Sequence, residues 1–333
     1  MQILPLALFL VLLELTIGSY VTLYLLDLRG DTSHGFVVFQ GVLYLVFAVI
    51  TILTMNAVTP AHPADYGLDA IWLRAQEPLV IAFTLLMIPW NVLLWRDKQP
   101  RGQAKKTAKA SAEGSSPPKS RRARFILGGL TALVGLSTLF AVGMGYRTLA
   151  DSRLGGAFVV LAFLAGGIAL GGVMTAMLLG HWYLNTPTAS GKPLEFTTVV
   201  LLAALALELV CTAGIGPATA HTKLQTTNVA PGTTIQTSGN GIRVSTPTVR
   251  PGATDTSPAQ QTETQRVAPL GMGAFVWLQI LMGFLAPLIL GGAALYLTRG
   301  RSFQSATGML YLCVSFIFIG EIIGRGLLLF SAI

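Results

Sequence analysis

The chain has 333 residues, 53% of them hydrophobic and 11% charged, with a mean hydropathy of +0.66; soluble domains carry about 25% charged residues, so a soluble globular fold is excluded. Two cysteines in the whole chain exclude a disulfide scaffold, and the apolar content excludes whole-chain disorder. The net charge of +8 is therefore read first as a signal of membrane topology and not as affinity for nucleic acid.

A hydrocarbon core about 30 Å thick needs about 20 apolar residues per helix. Runs of that length predict eight spans, at 3–27, 36–58, 77–95, 125–146, 157–184, 196–215, 270–297 and 305–331. Span one has no Lys or Arg before it and is too long for a signal-peptide core, so it is expected to be retained. It carries Glu14 near its middle and runs into a charged turn with Asp27, Arg29, Asp31 and His34. His62 precedes Pro63 in the loop after span two, and Arg74 and Glu77 mark the approach to span three. Trp90 and Trp95 end span three and Trp182 and Tyr183 end span five, positions expected in an interfacial aromatic belt.

Between spans three and four, residues 97–124 (DKQPRGQAKKTAKASAEGSSPPKSRRAR) contain almost no large apolar side chain. They predict a basic, disordered cytoplasmic linker that touches anionic lipid. No aromatic is interleaved with the charges, so nucleic acid is not an expected partner. Spans four and five are rich in glycine, and Gly167 with Gly171 has the four-residue spacing that lets membrane helices approach closely. Residues 216–269, rich in Thr, Gln, Pro and Gly, predict a flexible extracytoplasmic loop, with enough alternation for a hairpin turning at Gly239, Asn240 and Gly241.

Basic residues in alternate loops orient the spans. One side collects fourteen Lys and Arg, ten of them between Arg96 and Arg124, against seven on the other. Cytoplasmic loops are the basic ones. The prediction is an all-α polytopic protein of the plasma membrane, with eight transmembrane helices and both termini extracytoplasmic.

Charged side chains inside spans are costly and mark functional sites. Besides Glu14 there are Glu208 in span six and Glu321 with Arg325 in span eight; the last two stand four apart and can pair on one helix face. On the predicted topology Glu208, Glu321 and Arg325 fall toward the same outer face as His62, Arg74 and Glu77. Such a cluster can exchange protons with a lipid-soluble carrier, because a quinol loses two protons as it loses two electrons. The alternative is a Glu321–Arg325 pair that neutralises itself and fixes packing.

Other chemistries lack their residues. There is no C-x-x-C and no H-E-x-x-H, so neither an iron–sulfur cluster nor a zinc-protease site is expected. Gly191-Lys192 lacks the upstream glycine of a phosphate loop. Cys211 and Cys313, inside spans, are expected to be small buried hydrophobes. His34 and His181 share the inner face and are the one pair to weigh as b-type haem ligands, but haem is not expected, since His34 lies in a charged turn.

Three stretches resemble the membrane-anchor subunits of the polysulfide reductase and dimethyl sulfoxide reductase class. His62-Pro63 followed by Trp72-Leu73-Arg74-Ala75-Gln76-Glu77 is similar to that family's histidine loop and the start of its third helix. Gly320-Glu321-Ile322-Ile323-Gly324-Arg325 is similar to its last helix, and Pro187 through Phe196 to its cytoplasmic turn. The basic loop 97–124 and the Thr-rich loop 216–269 are departures. The resemblance implies eight spans with both termini outside, and a quinol pocket lined by His62, Glu77, Glu321 and Arg325. It also implies a subunit without catalytic residues of its own, working beside partner subunits that carry the redox centres. A proton- or cation-coupled secondary transporter using Glu14, Glu208 and Glu321, and an intramembrane haem protein, are the competing expectations.

Overall fold

The structure, a computed structural model, describes residues 3–58, 66–97, 119–150, 152–185, 190–215, 234–238, 241–245 and 272–330. Its long helices are α1 (Ile3–Arg29), α2 (His34–Val58), α3 (Ala70–Arg96), α4 (Lys119–Tyr146), α5 (Arg153–Asn185) and α6 (Lys192–Ile215). These are followed by α7 (Met272–Gln279), a π-helical stretch (Ile280–Leu285), α8 (Ala286–Arg299) and α9 (Phe303–Phe330). The segments from Gly273 to Arg299 run on as one span, so that eight helices are long and apolar enough to cross a membrane. Eight crossings bring both chain ends to the same face of the bundle, called here the terminal face.

The amount of apolar surface on each helix decides its place. Residues of α1 are buried on every side, as expected of a helix that is apolar all round. It packs against α2, α4, α5 and α9, and α5 packs in turn against α1, α4, α6 and α9. These two helices form the centre. By contrast α3 buries Leu73, Gln76, Val80, Phe83, Met87, Trp90 and Leu94, a stripe at helical period, and leaves Ile81, Leu85, Ile88 and Val92 exposed for lipid.

Small residues set the central contact. A Cβ added to Gly18 of α1 would collide with the Gly167 carbonyl of α5, and one added to Gly171 would collide with the Gly18 backbone. The expected close packing through Gly167 and Gly171 is thus present, with Gly18 as its counterpart. Where α1 ends, Gly30 takes φ +69° and its N–H donates to the Leu26 carbonyl at 3.2 Å, a left-handed helix stop that glycine adopts without strain.

Several boundaries differ from the sequence expectation. Helix α3 starts at Ala70, seven residues before position 77, because Asp69 caps it: its carboxylate accepts from the Ile71 N–H at 3.3 Å and from Arg147 at 3.3 Å. Arg74 and Glu77 therefore lie within the helix. Trp90 is not a belt residue: it is wholly buried and meets the Tyr20 ring edge-on at 4.9 Å, whereas Trp95 is exposed. Tyr183 is also buried, and its hydroxyl donates to the Ser190 carbonyl at 2.8 Å. Strands β1 (Thr234–Ser238) and β2 (Gly241–Ser245) pair antiparallel, with Ser238 opposite Gly241. The alternating stretch thus forms its hairpin, and Gly241 belongs to a strand; positions 239 and 240 lie outside the described residues.

The linker assignment changes at both ends. Residues 98–118 lie outside the described residues, but α4 is already helical from Lys119. Arg124 is no linker residue: it is buried, donating to Asp97 at 2.9 Å and to Asp27 at 3.2 Å, which ties the far ends of α1, α3 and α4 together. Removing one partner of a buried ion pair costs about 3–5 kcal/mol, whereas removing both is often neutral. Arg124→Met is accordingly expected to lower the thermal midpoint of the detergent-solubilised protein sharply, and Asp27→Asn in the same chain to recover part of the loss.

Candidate functional site

Arg325 occupies the bundle interior in the half nearer the terminal face. Its Nε donates to Glu14 Oε2 at 3.0 Å and its Nη2 to Glu14 Oε1 at 2.6 Å, a two-pronged grip between α9 and α1. The same Nη2 stands 3.1 Å from Glu321 Oε2, 3.5 Å from Glu208 Oε1 on α6, and 3.3 Å from the Ala162 carbonyl on α5. The guanidinium lies 4.4 Å from the centre of the Phe163 ring, a cation–π contact that a desolvated Arg favours. Four helices thus converge on one cation. None of the four charged side chains is more than 7% exposed.

Glycines make the room. A Cβ at Gly166 would stand 2.5 Å from Arg325 Nη2, 2.8 Å from Glu208 Oε1 and 3.2 Å from Glu321 Oε1, so the cluster fills the volume that any other residue would claim. On the other flank the backbones of Gly283 and Gly320 nearly touch, where the π-helical stretch meets α9. Such stretches insert one residue per turn and recur at functional sites. Overpacking a filled interior costs about 1–3 kcal/mol. Gly166→Ala is therefore expected to destabilise by that amount, as read from thermal unfolding, and to displace the Arg325 side chain in a structure of the variant.

Three carboxyl groups face one guanidinium. Were all ionised, the buried site would hold a net charge of −2, and an uncompensated charge in the interior is expensive. Protons on the carboxyls or an added cation must supply the balance. Glu208 Oε2 is buried and has no hydrogen-bond partner among the described residues, which leaves one acceptor position open. No group of three or more His, Cys, Asp or Glu side chains is arranged to hold a metal ion among the described residues, and Arg325 itself fills the centre of the three carboxyls.

Of the six residues expected at the site, the structure brings together Glu208, Glu321 and Arg325. Arg74 and Glu77 lie apart from them, exposed on the first turns of α3, a helix that packs on α2 and α4. His62 lies outside the described residues. The Glu321–Arg325 pair does form, yet it is only one side of a larger cluster, so a self-neutralising pair is not what the structure contains. The sequence places Glu14 inside its span but carries no sign that it is the main partner of Arg325. Its only sequence signal is a carboxylate in the middle of an apolar helix, and the roles of Gly166 and Phe163 have no local signal.

The histidines on the opposite face are engaged differently. His181 is exposed near the end of α5, with Nδ1 3.3 Å from the Tyr311 hydroxyl; His34 opens α2. Cys211 and Cys313 are free and buried, as expected of small hydrophobic side chains.

Fold and site together define a multi-pass helical membrane protein with a buried acid–arginine cluster. A scan against protein-family models and a comparison with curated proteins each found no match to this chain.

Proposed function

We propose that this protein is the quinol-interacting membrane subunit of a redox complex in the plasma membrane, with both termini extracytoplasmic and the basic segment 98–118 on the cytoplasmic side against anionic lipid. The observation that carries the reading is the capture of Arg325 by Glu14, Glu208 and Glu321 inside the bundle. Oxidising a quinol breaks two O–H bonds, releasing two protons to acceptors at the site and two electrons to a redox centre. The cluster has two carboxyls beyond the one matched by Arg325, which equals the number of protons a quinol sheds. The electrons pass to a centre carried by a partner subunit. In this role Arg325 fixes the carboxylates, the open Oε2 of Glu208 accepts a proton, and Glu321 passes it on. The similarity of Gly320–Arg325 to the last helix of quinol-interacting anchors supports the same assignment.

Loss of a positioned general base costs about 10²–10⁴-fold in rate. Complex isolated with Glu208→Gln should therefore assemble normally and oxidise a short-chain quinol at least about a hundredfold more slowly. An assembled variant with an unchanged rate would remove Glu208 from the reaction.

One observation favours a second reading, ion-coupled transport: the cluster unites the three intramembrane glutamates that a proton- or cation-driven carrier would use. That protein would purify without redox partners, and Glu208→Gln would abolish proton-driven solute uptake in vesicles.

A further inference from the structure

At the terminal face α4 and α5 are joined by a short connection. Helix α4 ends at Tyr146, a tight turn covers Arg147–Leu149, and α5 begins at Arg153. Deeper in the bundle the two helices touch closely: a Cβ on Gly143 would stand 2.7 Å from the Val160 Cα. Nearer the face a cavity of about 550 Å³ opens, lined by both helices and the turn. Ligand sites typically measure about 300–1,000 Å³, so the space is large enough for more than water.

Its walls divide by chemistry. Nearest the face are Arg147, Thr148 and Arg153; one to two helical turns deeper are Met144, Ala157 and Val160. Gly156 leaves room among them, since a Cβ there would press on the Arg147 carbonyl at 3.1 Å. The apolar wall does not stop at the cavity. Phe140 stands four residues from Met144 and Leu161 four from Ala157, each on the same helix face as its neighbour and each exposed. The cavity therefore runs on into an apolar strip on the outside of the bundle, where acyl chains of a bilayer lie.

The polar rim is held in place and keeps free donors. The Ser152 hydroxyl accepts from the Gly155 N–H at 2.9 Å, and the Gly156 N–H donates to the Ser152 carbonyl at 2.9 Å, which fixes the start of α5. Arg147 is anchored from α3 through one nitrogen: Nη2 donates to Asp69 at 3.3 Å, while Nη1 reaches only the Met144 sulfur, a weak acceptor, at 3.8 Å. Arg153 is exposed and has no acidic partner among the described residues; Asp151 lies outside them.

Two guanidiniums and a hydroxyl above an apolar floor, at the end of two spans, match an amphiphile with an anionic head. A guanidinium binds phosphate through two parallel N–H···O bonds, and basic pockets between membrane helices take lipid head groups. A free anion would use the rim alone and leave the apolar wall to water. We infer that this cavity binds an anionic phospholipid, with its phosphate between Arg147 and Arg153 and its acyl chains along Ala157, Phe140 and Leu161. A ligand that binds only the folded chain stabilises it by mass action, so the lipid secures the α4–α5 connection. The inference is independent of the quinol reading, since the cavity shares no residue with the acid cluster.

The test uses the full chain purified in dodecyl maltoside, with dioleoyl phosphatidylglycerol and dioleoyl phosphatidylcholine as probes. Bound lipid is followed by native mass spectrometry and by thermal unfolding. Wild-type protein should retain phosphatidylglycerol in preference to phosphatidylcholine and unfold at a higher temperature in its presence. Arg153→Gln should hold its tightest phosphatidylglycerol about tenfold or more weakly, as expected for the loss of a charged hydrogen bond. Ala157→Phe, which fills the cavity without changing the charge, should weaken it as much, and Arg153→Lys should keep most of the affinity. Arg301→Gln, on the opposite face, should match wild type, which separates the cavity from the basic surface there. Wild-type affinity in either Arg153→Gln or Ala157→Phe overturns the site, as does equal retention of the two lipids by wild type. Inorganic phosphate that raises the thermal midpoint as far as phosphatidylglycerol does, with the effect lost in Arg153→Gln, would make a free anion the occupant and overturn the lipid assignment.

Discussion

Arg325→Met is expected to leave little folded protein in the membrane fraction. The guanidinium supplies five bonds or close contacts, to Glu14 twice and to Glu208, Glu321 and the Ala162 carbonyl. Without it, three carboxyl groups share the interior with no cation. Breaking one buried pair costs about 3–5 kcal/mol, against a total folding stability of about 5–15 kcal/mol. Arg325→Lys should be intermediate, since an ammonium cannot grip both oxygens of Glu14 in the planar geometry of a guanidinium. Glu14→Gln should be mildest, because the amide oxygen still accepts from Nη2 while one negative charge is gone. The decisive variant is Glu321→Leu with Arg325→Met. If these two residues served only each other, joint replacement would be close to neutral. The structure predicts instead a loss near that of Arg325→Met alone, because Glu14 and Glu208 remain. Thermal unfolding in detergent and the yield of monodisperse protein measure the order.

How much of this was legible in the sequence follows from which contacts are local. Span number and approximate position depend on apolar runs, and the Glu321–Arg325 pair depends on a four-residue offset within one helix; both are written along the chain. The bond from Arg325 to Glu14 joins positions 311 apart. It exists because α1 and α9 pack side by side, a fact of packing and not of either helix alone. Arg74 and Glu77 show the opposite failure. Both stand on the first turns of α3, but depth does not fix azimuth: Leu73, Gln76 and Val80 take the inward face of α3, and the charges between them point out. Trp90 departs from the expected belt for a related reason. It stands in register with Phe83, Met87 and Leu94, and the helical stripe that buries those residues buries it too. Arg124 sits in a run of basic residues whose composition reads as solvated, yet two aspartates from separate helices draw it inside.

The α1–α5 contact is the packing on which the whole site depends, and Gly18→Val should break it. The atoms facing Gly18 are the carbonyl oxygen and carbon of Gly167, which belong to the backbone of a central helix and cannot swing aside as a long side chain can. Overpacked interiors typically cost about 1–3 kcal/mol when side chains give way, and here the helices themselves must separate. The loss should reach or exceed the top of that range. Separation would also draw Glu14 away from Arg325, so the variant should lose the cluster as well as stability. Gly292 provides the control. A Cβ there meets nothing within 4 Å, and in a helix interior alanine is favoured over glycine by about 0.5–1 kcal/mol. Gly292→Ala should therefore unfold at or slightly above the wild-type temperature. Equal midpoints for Gly18→Val and wild type would mean that α1 and α5 do not approach as closely as their glycines allow, and the grip of Glu14 on Arg325 would then need another cause.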